Sequence, residues 1–251
     1  MRTLAHLSDL HFDRVDRGVL EALRRRVKAL APDLVVISGD LTQRARAHQF
    51  RAARAFLDSL PKPQVVVPGN HDVPLYNVLA RFVAPLAGYR RVIAGEVEPG
   101  FVDDEIAVLG VNTARSFVLK GGRVSESQRA RVCEALGRLR GERTRIVVSH
   151  HPAALEKLAD CGVDVFVSGH HHASRTAQRR IGRMSVLIVE AGTATSQRTR
   201  EEPNAFNLLR IRPGRITFEH YALRGANFMR AGAVSFSREA SGWKRDGTRS
   251  R

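Results

Sequence analysis

Five short apolar runs in this chain each end in a chemically active side chain. Thr3–Leu7 leads into Asp9-Leu10-His11, Leu34–Ser38 into Gly39-Asp40, and Gln64–Val67 into Gly69-Asn70-His71-Asp72. Arg145–Ser149 runs into His150-His151-Pro152, and Val163–Val167 ends in Gly169-His170-His171-His172. Seven of the ten histidines fall in four of these five segments. Packing alone gives no reason for this, because buried ionisable groups are costly unless paired or bound to metal. The runs alternate with amphipathic segments, the pattern of βαβ units and parallel pairing. In open α/β sheets the carboxyl ends of the strands are where ligands bind. The chain must therefore fold so that several strand ends meet.

Helical spacing fills the gaps. Asp16 is placed to cap a helix over about 17–31, with Val19, Leu20, Leu23, Val27 and Leu30 on one face. Thr42 is expected to cap a second over about 43–59, and 74–84 reads as partly helical. Ser125 opens a helix over about 126–139, and a short one is expected at about 153–160. Further strands are expected at 92–94, 101–102 and 106–111, then as a pair at 174–180 and 184–190, and at 206–212 and 216–221. Glycines at 39, 69 and 169 are expected to let the backbone turn sharply just before a ligand.

Composition excludes several classes. With 251 residues, 43% hydrophobic and 26% charged, the chain is an ordinary globular one, long enough to bury its own core. Its longest apolar runs are far short of the ~20 residues that span a bilayer. The N-terminus MRTLAHLSDLHF turns polar by Ser8, so no secretory leader is expected and the protein reads as cytoplasmic. Cys133 and Cys161, the two cysteines, read as small buried hydrophobes rather than a disulfide framework. The net charge of +16 favours anionic partners. Yet 36 of the 41 cations are Arg, scattered with little aromatic interleaving, which resembles codon bias as much as a nucleic-acid surface; nucleic acid is possible but not favoured. A domain is expected over 1–223. Residues 224–251, rich in cations, Gly and Ser, read as a loosely ordered basic tail.

The candidate ligands are Asp9, His11, Asp40, Asn70, His150, His170 and His172. Carboxylate and imidazole without thiolate suit Zn, Fe or Mn. Seven ligands exceed one tetrahedral ion and suit two divalent ions about 3.5–4 Å apart that share a carboxylate.

The series Asp-x-His, Gly-Asp, Gly-Asn-His-Asp, His-His-Pro and Gly-His-x-His, in this order at strand ends, resembles the calcineurin-like metallophosphoesterases over about residues 3–221. The resemblance implies an α/β fold of four layers, a sandwich of two mixed β-sheets flanked by helices. It implies that Asp9, His11, Asp40 and His172 hold one ion and Asp40, Asn70, His150 and His170 the other, with Asp40 bridging. His71 becomes the catalytic histidine that holds no metal and neighbours the phosphate. The implied reaction is in-line attack on phosphorus by a hydroxide shared by the two ions, with His71 protonating or stabilising the leaving oxygen. Asp72 would orient His71 or cap its turn, His151 and His171 would support the site or lie at the surface, and Arg115 is a candidate phosphate contact.

Sub-patterns separate the members of the family. Protein Ser/Thr phosphatases continue Gly-Asp into Asp-Arg-Gly, whereas here Leu41-Thr42-Gln43-Arg44 follows. Lipid A pathway hydrolases carry Arg where His71 stands. The segments Ser8–Phe12, Gly39–Gln43 and Pro68–Asp72, with Gly122–Ser125 and Gln128, are most similar to the bacterial class III cyclic-nucleotide phosphodiesterase group. The connection between His150 and His170 is short for that group. An exposed site and a broad-specificity phosphodiesterase are therefore expected, acting on a phosphate diester, with a nucleotide as one candidate substrate. The alternatives are a nuclease or phosphomonoesterase on the same centre and, more remotely, a non-catalytic scaffold. Oligomeric state is not legible.

Overall fold

The computed structural model describes residues 1–116, 121–196 and 202–247. Thirteen strands among them form two mixed sheets. The first sheet contains β1 (Arg2–Leu7), β2 (Leu34–Ile37), β3 (Gln64–Val66), β10 (Ala205–Arg212), β11 (Arg215–Arg224), β12 (Asn227–Glu239) and β13 (Gly242–Arg245). Its spatial order is β13-β12-β11-β10-β1-β2-β3. The second contains β4 (Gly100–Val102), β5 (Ile106–Val111), β6 (Thr144–Ser149), β7 (Val165–Ser168), β8 (Arg175–Ile181) and β9 (Met184–Glu190), in the order β4-β5-β6-β7-β9-β8. β1, β2 and β3 run parallel, as do β5, β6, β7 and β9; the outer strands are antiparallel.

Side-chain parity builds the layers. Leu34 and Val36 of β2 face the other sheet, as do Val165 and Val167 of β7, and they meet in one apolar core between the sheets. The alternate residues Val35 and Ile37 pack under α1 (Arg17–Leu30), α2 (Ala47–Asp58) and α4 (Ala87–Val92). On the far side, Val147, Phe166 and Ile188 pack under α5 (Glu126–Gly137) and α6 (Leu155–Leu158). Strands covered on both faces read as unbroken apolar runs. The expected four-layer sandwich of two mixed sheets is the observed fold.

Several local expectations are corrected. Residues 224–251 are not a loose tail: 227–239 and 242–245 are β12 and β13, and residues 248–251 lie outside the described residues. The cations conceal a buried face, because Phe228, Phe236 and Trp243 point inward. Arg230 meanwhile pairs with Glu219 at 3.4 Å and Arg238 lies over the Trp243 ring at 4.8 Å. Cys133 and Cys161 are not separate thiols. They form a disulfide that ties α5 to the turn after α6, with the Cα atoms 4.3 Å apart. Residues 92–94, expected as a strand, close α4 instead, where the Tyr89 hydroxyl donates to Val66 O at 2.8 Å. The second helix starts at Ala47 rather than after Thr42: Thr42 Oγ1 accepts from Ala45 N at 3.0 Å, but the chain turns through a positive φ at Ala45, and Gln49 Oε1 accepts from Arg46 N at the helix start. No helix among the described residues is long and apolar enough to cross a membrane.

Candidate metal centre

Parallel pairing aligns the carboxyl ends of β1, β2 and β3 in one sheet and of β6, β7 and β9 in the other. The loops that leave them bring the expected residues together. The Asp40 carboxylate sits between the sheets: Oδ2 lies 3.3 Å from His150 Nε2 and 3.8 Å from His11 Nε2. Asp9 Oδ1 lies 3.3 Å from His172 Nε2 and 3.6 Å from His11 Nε2. The Nε2 atoms of His11 and His172 are 3.3 Å apart. Asn70 Oδ1 lies 3.1 Å from His150 Nε2. His170 groups with His150 and His151, and His71 with His11 and Asp40. Asp9, His11, Asp40 and His150 are almost wholly buried.

The backbone is bent to achieve this. Asp9, His11, Asp40, His170 and His172 all have positive φ, between 48° and 74°. Such conformations are uncommon for residues other than glycine and concentrate at functional sites. Two of the three glycines act differently from expectation. Gly39 has a positive φ of 96°, but Gly69 and Gly169 do not. They are needed for close approach: a Cβ at Gly69 would sit 2.1 Å from Asp40 Oδ1, and one at Gly169 only 2.5 Å from Asp9 Oδ2.

Hydrogen bonds fix the tautomers. His150 Nδ1 donates to Ser38 O at 2.8 Å, which leaves Nε2 to face Asp40 and Asn70. His71 Nδ1 donates to Gln43 O at 2.9 Å. His172 Nδ1 meets Thr193 Oγ1 at 2.9 Å and His151 Nδ1 meets Thr113 Oγ1 at 2.8 Å. None of these partners carried a sequence signal, since backbone carbonyls and lone threonines are everywhere. Asp72 caps turns: its carboxylate accepts from Gly69 N, Leu41 N, Thr42 N and Thr42 Oγ1. His151 is buried, whereas His171 is exposed and pairs with Glu190 at 2.9 Å. Arg115, half-buried, donates to Gln128 Oε1 of α5.

The electrostatics are those of a site built around positive charge. Burial opposes ionisation of Asp9 and Asp40. Even so, the His11 and His150 imidazoles hold Asp9 near about 2, and His150 above all holds Asp40 well below the carboxylate range. Burial by itself would lower His150, but Asp40 raises it to about 9. His170 and His151 are driven down to about 4 and about 2, first by burial and then by the His150 charge. Asp9 Oδ1 is buried without a well-formed hydrogen bond, with two imidazole Nε2 atoms beside it. This donor set of inward-facing nitrogens and carboxylate oxygens fits divalent cations, whose binding displaces such protons.

A family model described as calcineurin-like phosphoesterase matches residues 2–174. The chain belongs to this family. Within it, the chain is 34% identical over 85 residues to the glycerophosphodiester phosphodiesterase GpdQ of Enterobacter lignolyticus, covering 28% of this chain and 29% of that protein. It is 26% identical over 182 residues to protein YpbG of Bacillus subtilis, covering 72% of this chain and 64% of that one. The matches thus span less than two thirds of either relative. Among solved structures it is similar to the purple acid phosphatase PPD1 of yellow lupin, with a TM-score of 0.70 at 13% identity over 95% of this chain and 54% of that one. Vps29 of Cryptosporidium parvum gives a TM-score of 0.53 at 18% identity over 94% and 98%. At these identities the likeness is one of fold.

Proposed function

We propose that this protein is a phosphodiesterase of broad specificity that works with two divalent ions, of Mn, Fe or Zn. The observation that carries the reading is Asp40, whose single oxygen Oδ2 stands between His150 Nε2 from one sheet and His11 Nε2 from the other. Asp9, His11, Asp40 and His172 would hold one ion. Asp40, Asn70, His150 and His170 would hold the second. When bound, such ions supply a hydroxide nucleophile at neutral pH and positive charge against the phosphoryl oxygens.

The chain's own residues do the rest. The Ser38 carbonyl keeps the His150 lone pair on Nε2. The Asp40 Oδ1 atom accepts from His71 N at 2.8 Å, which ties the histidine's backbone to the shared carboxylate. With Nδ1–H spent on Gln43 O, His71 Nε2 is the ring atom left to face substrate: as the imidazolium, His71 would give the Nε2 proton to the leaving oxygen and be left as the neutral Nδ1–H tautomer. The short connection after β6 (two 3-10 turns around α6) folds against α5. It supports an under-walled site and weak discrimination between diesters, without a steep preference for cyclic nucleotides.

The test is hydrolysis of bis(p-nitrophenyl) phosphate beside p-nitrophenyl phosphate, using enzyme stripped by chelator and reloaded with manganese. Metal-dependent turnover favouring the diester is expected. Preference for the monoester would make it a phosphatase. Inactivity on both, with DNA binding that falls steeply with salt, would point to a nuclease; inactivity without such binding would point to a non-catalytic role.

A further inference from the structure

The segment Leu75–Val83 turns the usual order of a surface helix inside out. α3 (Val78–Val83) is a single short helix whose one charged residue points inward. Arg81 is only 8% exposed and donates to Ser116 O at 2.7 Å and Pro74 O at 3.0 Å. Its apolar residues point outward: Val78 is 63%, Leu79 74% and Val83 75% exposed, beside Phe82, Leu75 and Tyr76. Amphipathic helices of soluble domains normally do the reverse. Of the nine large hydrophobic residues exposed among the described residues, six lie in these nine positions. A concentrated apolar patch of this kind marks an interaction surface.

We propose that this patch docks on an anionic lipid bilayer. Charge decides the partner. Residues 73–95 contain no acid and carry the exposed Arg90 and Arg91, and residues 41–53 contain no acid and carry Arg44, Arg46 and Arg51. The Arg44 guanidinium lies 5.5 Å from the Tyr76 ring centroid, which puts a cation at the edge of the patch. A second copy of the chain would bring +16 against +16. An anionic bilayer instead accepts short apolar side chains below its headgroups and arginines and tyrosine at their level. The patch also adjoins the candidate centre, because Gln43, which precedes Arg44, accepts from His71 through its carbonyl.

The experiment is co-sedimentation of the full chain, at low salt, with vesicles of phosphatidylcholine alone and of phosphatidylcholine mixed with phosphatidylglycerol. The protein is expected to pellet with the anionic vesicles and to be released by salt. The double variant Leu79→Glu/Val83→Glu should partition at least ~10-fold more weakly, while its Tm stays at the parental value. Val102→Glu, at an exposed apolar residue on β4, should pellet like the parent. Equal pelleting of the parent and the double variant would overturn the proposal, as would pelleting with neither vesicle. A lipid-free dimer seen by light scattering and abolished by the double variant would overturn it too, by assigning the face to a second copy. No turnover or metal enters the measurement, so it stands or falls apart from the phosphoesterase reading.

Discussion

At the scale of single residues, the candidate centre combines strained backbone with tightly shared side chains. Each left-handed residue other than glycine costs about 1–3 kcal/mol, a cost tolerated where the surrounding structure over-determines the conformation. Here the loops are laced together by Asp9 N donating to Gly39 O, His11 N to Asp40 O and Gly169 N to His150 O. Asp40 and His71 should separate cleanly by substitution. Asp40→Asn is expected to lower the content of both metals at once, as read by elemental analysis. His71→Ala should keep the metal and lose roughly 10²–10⁴-fold in turnover; equal metal loss in both would put His71 among the ligands. His6 sets a pH limit on stability. It is fully buried on β1, with Nε2 2.9 Å from Ser38 Oγ. Burial lowers its pKa to about 3, from about 6.5 when unfolded. The unfolded chain takes up the proton first as pH falls, so this stability is complete above about pH 6.5 and is lost progressively toward pH 3. Roughly 2 kcal/mol should go between neutral pH and about pH 5. Denaturant titrations at the two pH values check this, and His6→Gln should shrink the difference by about that amount.

At the scale of elements, local chemistry shows which boundaries were readable. Asp16 caps α1, its Oδ1 accepting from Gly18 N at 2.8 Å and Val19 N at 3.0 Å. Ser125 and Gln128 close a reciprocal box at the start of α5. Both helices begin where the sequence placed them, since a cap is a contact between near neighbours. Asp16→Ala should cost about 1 kcal/mol, seen as a lower Tm with metal content unchanged. Where a polar residue had a distant competitor, the local reading failed. Thr42 Oγ1 accepts from Ala45 N and also donates to the turn carrying His71, so it closes a turn before the helix, while Gln49 Oε1 accepts from Arg44 N and Arg46 N ahead of α2. The run at 92–94 has β-branched residues, yet it finishes a helix because Tyr89 and Ile93 are buried against the outer face of the first sheet.

At the scale of the molecule, closure depends on segments far apart in sequence. β10 to β13 complete the first sheet, and Phe236 and Trp243 reach the same inter-sheet core as Leu4 and Leu34. The Cys133–Cys161 disulfide closes a sequence separation of 28, which in a chain-entropy account stabilises by about 3.5 kcal/mol. A thiol titration of unfolded, unreduced protein should find no free thiol. The Cys133→Ser/Cys161→Ser pair should lower the unfolding free energy by about that amount in denaturant titrations. Two free thiols in the parent would instead restore the simpler reading of the cysteines as packed hydrophobes.

Hydrophobic runs ending in Asp, Asn and His determined, from sequence alone, an α/β chain of parallel strands and the list of side chains gathered at the strand ends; the two-sheet sandwich came from the family resemblance that those motifs carry. That was possible because a doubly buried parallel strand must be continuously apolar and its carboxyl end is where the chain leaves the core. Only the tertiary structure decided which oxygen of Asp40 faces both sheets, which carbonyl orients each imidazole, how the cysteines pair and that the basic C-terminal stretch is sheet. It alone turned Arg81 inward and its apolar neighbours outward. These are contacts between residues tens to hundreds of positions apart, and neither periodicity nor neighbour chemistry carries them along the chain.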